Sequence, residues 1–317
     1  MVPGTSTESN AERGVVSFVR RHWKRGVVVA VVTVLLITGF GVQIALTYFS
    51  HPLHGTDASI QGVEADPAIE LEWLGNGYVL RPADHDSETG LVFYPGGRVH
   101  PDAYLATLAP LVREANVTVF VPRMALNLAV LNPNAARPVV RNHPGIDTWY
   151  VGGHSLGGAM ACRYAKGRPD RVEGLVLLAS YCDRDLSDTS LRVLSVTGTA
   201  DGVLNRDRYR TSLSNLPSDA RDVRIRGMNH SQFGTYRGQL DDAPATIDDE
   251  TAHRRLGAIL VSWFENETGV SANVTEGRAS TIHGDSMQSD GFDAISNRDR
   301  EECSLRYPFS LPVLRGG

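Results

Sequence analysis

Residues 148–158 read Thr-Trp-Tyr-Val-Gly-Gly-His-Ser-Leu-Gly-Gly. A run of strand-forming residues passes directly into Gly153-His154-Ser155-Leu156-Gly157, and a stretch of helix formers follows to about Gly167. This is a G-x-S-x-G pattern at a strand-to-helix turn. A nucleophile on so sharp a turn has a strained backbone, and glycines two residues to either side remove the side chains that would collide there. The turn lifts the Ser155 hydroxyl clear of the sheet. It also points the Leu156 N–H, at a helix N-terminus, toward a developing oxyanion. The pentapeptide alone recurs by chance. In this context, flanked by Gly152 and Gly158, it marks Ser155 as a candidate nucleophile.

A serine hydroxyl near neutral pH needs a base. After Ser155 the histidines are His230, His253 and His283. His253 falls in an amphipathic stretch that predicts the last helix, and His283 in a polar tail. His230, in Gly227-Met228-Asn229-His230-Ser231, sits in a loop after a strand and is the expected base. His154 is expected to pack or hydrogen-bond locally. A carboxylate must hold the imidazole tautomer. Asp201, in Gly198-Thr199-Ala200-Asp201-Gly202 after the strand Val193–Thr197, is the first choice, with Asp183 and Asp185 as the fallback. A second oxyanion donor is expected from Tyr94-Pro95-Gly96-Gly97, with the Gly97 N–H preferred and Arg98 next.

Outward from this segment, apolar runs alternate with helical patterns. Ile69–Trp73 and Tyr78–Arg81 flank Gly75-Asn76-Gly77 and predict a hairpin. Leu91–Tyr94, Val117–Val121, Val172–Ala179, Leu191–Thr197 and Asp222–Ile225 read as further strands. Pro101–Ala115 carries Leu105, Leu108, Leu111 and Val112 at helical spacing, and Thr251–Glu265 predicts the last helix. The stretch 122–147, with several Asn and Pro, reads as a loop or short cap over the sheet edge. The order predicts an α/β fold: a mostly parallel central sheet with helices on both faces.

Before this domain, Val27–Phe49 contains no charged residue and at about 1.5 Å per residue spans roughly 35 Å. Arg20, Arg21, Lys24 and Arg25 precede it, so the positive-inside rule predicts a cytoplasmic N-terminus and an extracytoplasmic domain at the cell membrane. A cleaved signal peptide is the competing reading. It is disfavoured by the length of the apolar run and by Ala45-Leu46-Thr47-Tyr48-Phe49, which makes a poor cleavage site. The expected organisation is a cytoplasmic segment 1–26, a membrane anchor 27–49, a stalk 50–66, a catalytic-type domain 67–265 and a disordered tail 266–317.

The 317 residues are 42% apolar and 21% charged, which suits a globular domain and excludes a collagen or a long coiled coil. The net charge of −5 and the absence of a long basic run argue against nucleic-acid binding. Twenty-nine Arg against two Lys reflects codon bias in a GC-rich genome and says little of function. Cys162, Cys182 and Cys303 are too few and scattered for a disulfide framework or a metal site. The first two read as small buried hydrophobes.

Tyr94–Gly97, Asn127–Ala136, Gly152–Gly158, Gly198–Val203 and Asn229–Gly234 resemble the α/β-hydrolase superfamily, in particular its fold-5 group, related to esterases and dienelactone-hydrolase-like proteins. The likeness spans about 67–265 and leaves out the anchor and the tail. It implies the α/β-hydrolase fold with an eight-stranded type of sheet and no cofactor. It also implies a serine–aspartate–histidine triad, falling here on Ser155, Asp201 and His230. The expected function is membrane-anchored hydrolysis of a small-molecule carboxylic ester. Alternatives are a serine peptidase or amidase, or a catalytically silent, membrane-tethered binding module.

Overall fold

The computed structural model describes residues 8–268, so the expected tail lies outside the described residues from 269 onward. Helix α1, Glu8–Ser50, includes Arg25–Ser50, which is long and apolar enough to cross a membrane. Its side chains from Val27 to Leu46 are exposed.

Of the expected stalk 50–66, Ser50 ends α1 and residues 51–66 are instead part of the domain. The Leu53 N–H donates to the Arg98 carbonyl (2.6 Å) and its carbonyl accepts from His100 (2.8 Å). The Thr56 N–H donates to the Thr235 carbonyl (3.2 Å). Helix α2, Asp57–Glu64, is capped by the Thr56 side chain and buries Val63 in the core. Ile60 and Val63, three apart, give this short helix an apolar side that the polar residues around it mask in the sequence.

Strands β1 (Ile69–Trp73) and β2 (Gly77–Pro82) form the antiparallel hairpin. Its turn requires Gly77, at φ +152°, where a Cβ would lie 2.5 Å from the Val121 carbonyl oxygen. Strand β3 (Thr89–Tyr94), helix α3 (Leu105–Ala115) and strand β4 (Val117–Pro122) follow. The stretch after β4 holds two short 3-10 turns and helix α4 (Ala136–Asn142). Strand β5 (Thr148–His154) leads into helix α5 (Leu156–Lys166). Strands β6 (Gly174–Leu178) and β7 (Arg192–Gly198), helix α6 (Arg206–Ser212), strand β8 (Arg221–Ile225) and helix α7 (Asp249–Thr268) complete the domain.

The eight strands form one sheet in the order β1-β2-β4-β3-β5-β6-β7-β8. Only β2 runs against its neighbours. Alternation along β3 shows why both faces are covered. Leu91 and Phe93 enter one core with α3 and α7, whereas Val92 and Tyr94 enter the other with α5, and all four are fully buried. The chain steps to opposite sides after β3 and β5. The loops at their C-terminal ends therefore meet at the switch point where such sheets bind ligands.

Cys162 and Cys182 are not separate thiols but a disulfide, with Cα atoms 5.5 Å apart. Helix α5 packs on β6, so a residue in the helix meets one just past the strand. Sequence spacing does not reveal that approach.

Candidate active site

Ser155 follows β5 at φ +52°, ψ −122°, a backbone region that costs a residue with a β-carbon free energy. The surroundings hold it there: its N–H donates to Leu178 (2.9 Å) and its carbonyl accepts from the Ser180 hydroxyl (2.7 Å). A Cβ on Gly153 would come within 2.7 Å of the Tyr94 carbonyl oxygen, and one on Gly157 would overlap the Tyr94 and Pro95 carbonyls. The glycines let the turn press against the end of β3. That contact brings Gly97 beside Leu156: a Cβ on Gly97 would sit 3.5 Å from the Leu156 side chain.

Among the described residues neither the Gly97 nor the Leu156 N–H has a protein acceptor. The neighbouring amides are engaged. Gly96 donates to the Tyr104 hydroxyl (2.9 Å), and Arg98, the second choice from the sequence, donates to the Asn127 carbonyl (2.8 Å).

Asp201, after β7, and His230, after β8, meet at 2.9 Å between Oδ2 and Nδ1, both side chains almost fully buried. The other oxygen, Oδ1, accepts from the Val203 and Leu204 N–H groups, each at 2.8 Å. Burial alone raises the Asp201 carboxyl. The His230 ring and the two backbone amides outweigh it and hold the group below its ordinary value. The fallback acids lie elsewhere: Asp183 pairs with Arg163 and Asp185 with the Ser187 hydroxyl and amide.

His154 is completely buried behind this pair, its ring 4.4 Å from that of His230 and stacked on Phe233. Its Nδ1 meets the Tyr104 hydroxyl at 3.0 Å. Burial, then the neighbouring His230, pushes its pKa well down, so it packs as a neutral imidazole. His253 lies on α7, its Nε2 3.1 Å from the Gly234 carbonyl.

Asp242 is a participant that the sequence did not disclose. Its carboxylate accepts from the His230 N–H (3.1 Å), from the Ser231 N–H (2.9 Å) and hydroxyl (2.6 Å), and from the Gly202 N–H (3.3 Å). It thus ties the loop of the acid to that of the histidine. It follows His230 in the chain and is held mainly by backbone N–H groups, which carry no sequence signal.

By donor type, His54, His100 and Asp102 could hold a metal ion. Both Nδ1 atoms already contact Asp102 Oδ2, at 2.7 and 2.9 Å, and Gly55 donates to Oδ1, so the set also stands as a hydrogen-bonded clamp between residues 54–55 and the 3-10 turn Pro101–Tyr104 that precedes α3. A cleft of about 650 Å³ opens between residues 82–87 and 142–146, at the opposite edge of the sheet from Ser155.

A model of the alpha/beta hydrolase family matches residues 90–254, just over half of the chain, from β3 to the first turn of α7. No curated protein matches the sequence.

Proposed function

Because the chain belongs to the alpha/beta hydrolase family, whose membership supports hydrolase chemistry on a small-molecule substrate, we propose that it is a membrane-anchored serine hydrolase of carboxylic esters. Ser155 is the nucleophile, His230 the base and Asp201 the group that fixes the imidazole. The observation that carries this reading is the buried 2.9 Å contact of Asp201 with His230, made at the strand ends that also present Ser155 on its strained turn.

With Nδ1 held by Asp201, Nε2 is the nitrogen left to take the Ser155 proton. The Ser155 oxygen then bonds to the acyl carbon, and the carbonyl oxygen becomes an oxyanion that the Leu156 and Gly97 amides receive. One such donor is worth about 10²–10³ in rate. His230 returns the proton to the departing alkoxide, leaving an acyl-enzyme. Water attacks this ester with its proton passing to His230. Collapse releases the carboxylic acid and restores the Ser155 hydroxyl.

The anchor reading rests on Arg25–Ser50 and the basic flank before it. Two features support an uncleaved span and an extracytoplasmic domain. The last turn of α1 is hydrogen-bonded to the domain through the Tyr48 and Phe49 carbonyls. The Cys162–Cys182 disulfide suits an oxidising compartment.

The test is hydrolysis of p-nitrophenyl acyl esters by the full chain in detergent. Activity is expected in the wild type and lost in Ser155→Ala and His230→Ala. Release by wild type no faster than by Ser155→Ala would overturn the reading.

A further inference from the structure

Outside α1, the exposed large apolar side chains of the described residues are Trp73, Leu74, Leu126, Val130, Leu131 and Leu240. All but Leu240 belong to two short segments, the β1–β2 turn and the stretch after β4. Both segments adjoin the end of α1: Ser50 shares one cavity lining with Gly75, Asn76, Arg123 and Leu126. The β1–β2 turn that follows Trp73 and Leu74, and the segment that carries Leu126 and leads to Val130 and Leu131, therefore flank the point at which the helix leaves the domain.

The same stretch also borders the candidate active site. Arg98, next to Gly97, donates to the Tyr48 and His51 carbonyls at 3.1 Å each, and its guanidinium lies 3.6 Å from the Tyr48 ring centroid. Asn127 donates from its side chain to the Phe49 carbonyl (2.8 Å) and accepts at its own carbonyl from Arg98. Leu128 would be 3.9 Å from a Cβ on Gly97. One residue of chain thus separates the end of the membrane helix from the amide expected to receive the oxyanion. Leu126 and Asn127 hold positive φ, +49° and +55°. There Leu126 is exposed and Asn127 buried, at an expense in backbone free energy that a core role for Leu126 does not explain.

We propose that Leu126, Val130 and Leu131, with Trp73 and Leu74, seat in the headgroup layer of the bilayer that α1 crosses. Ser155 then takes its substrate from that layer: an amphiphilic ester with a long acyl chain. The inference rests on α1 being a retained span and Ser155 the nucleophile. Continuity fixes the occupant, because a helix that exits the bilayer at Ser50 leaves residues bonded to Tyr48 and Phe49 at headgroup depth. The chemistry fits, with aromatic and aliphatic side chains near the exposed Arg123, which suits lipid phosphates.

Two measurements on the full chain in phosphatidylcholine–phosphatidylglycerol nanodiscs test it. The first reads depth without activity: a spin label at Leu131→Cys, with Cys303→Ser, compared with one at Asp86→Cys at the opposite sheet edge. The label at 131 is expected to favour oxygen over a water-soluble nickel complex and the label at 86 the reverse. A label at 131 as open to nickel as that at 86, or shielded from both as by a second copy of the chain, overturns the seating. The second is the ratio of hydrolysis rates on a long-chain ester in the disc and on p-nitrophenyl acetate. Val130→Ser with Leu131→Ser should lower the ratio roughly tenfold, as the loss of two partly buried apolar side chains implies. An unchanged ratio overturns the substrate class. If the wild type cleaves neither ester, the hydrolase reading and the substrate class fail together, while the depth measurement still decides the seating.

Discussion

Asp201→Asn is the most searching single substitution, because the structure dictates how the new side chain must sit. The carboxylate divides its oxygens: Oδ1 accepts two backbone N–H groups and Oδ2 faces His230 Nδ1. In asparagine only the carbonyl oxygen can receive the Val203 and Leu204 amides, so the NH2 group is turned toward His230. An NH2 group there donates, and Nδ1 must accept. The ring proton moves to Nε2, which can no longer take a proton from Ser155. The same error of tautomer in a serine–histidine–aspartate triad lowers kcat about 10⁴-fold, equivalent to about 5 kcal/mol of barrier. The fold should survive, because both backbone hydrogen bonds remain and one charge-assisted bond becomes neutral, at about 1–3 kcal/mol. The assay is kcat on p-nitrophenyl butyrate with thermal denaturation as the control for folding. A folded Asp201→Asn variant within tenfold of wild type would refute the assigned role of Asp201.

Other consequences are open to measurement. The disulfide closes a separation of 20 residues, so Cys162→Ala with Cys182→Ala should cost about 3 kcal/mol and lower Tm by about 6–12 °C; a Tm unchanged on reduction or substitution would show that the bond does not form. Gly157→Ala puts a methyl group onto two backbone carbonyls, whereas Gly97→Ala meets only ordinary van der Waals neighbours. The former should lose about 3 kcal/mol or more while the latter unfolds near the wild-type temperature, and equal melting curves would contradict the packing at the serine turn. Buried His154 and His253 both have lowered pKa values. Below about pH 6.5 the unfolded chain therefore binds protons that the folded one refuses, and unfolding free energy should fall from pH 7 to pH 5. Further acidification protonates Asp201 and Asp102, both held below their ordinary values. Their stabilisation is complete above the ordinary carboxylate range and is lost as pH falls through the lowered folded values. A flat profile in urea titrations between pH 7 and pH 3 would contradict both assignments.

Local chemistry made much of this legible. The serine turn announces itself because its backbone tolerates only glycine at set places, and the central strands because burial on both faces demands continuous apolar runs. The pairing of Asp201 with His230 could be anticipated from loop position, since both follow adjacent strands, β7 and β8. What stayed hidden depends on approach in three dimensions. Cys162 and Cys182 meet only because α5 lies on β6. Asp242 binds through backbone amides, which leave no side-chain signature. Helix α2 and residues 51–56 look polar, yet they dock through Leu53, Ile60 and Val63 and a few backbone hydrogen bonds. Helix α6, short and charged, is capped by Asn205 and anchored by the single buried ring of Tyr209, whose hydroxyl meets Ser195 and Asp222, rather than by an apolar stripe.

The most direct measurement is intact-mass analysis of the full-length chain after exposure to a fluorophosphonate, with the adduct located by peptide mapping. The account predicts one adduct, on Ser155, formed rapidly by the wild type and abolished in His230→Ala. A folded wild-type chain that takes no adduct, or takes it elsewhere, would contradict the assignment of Ser155 as an activated nucleophile.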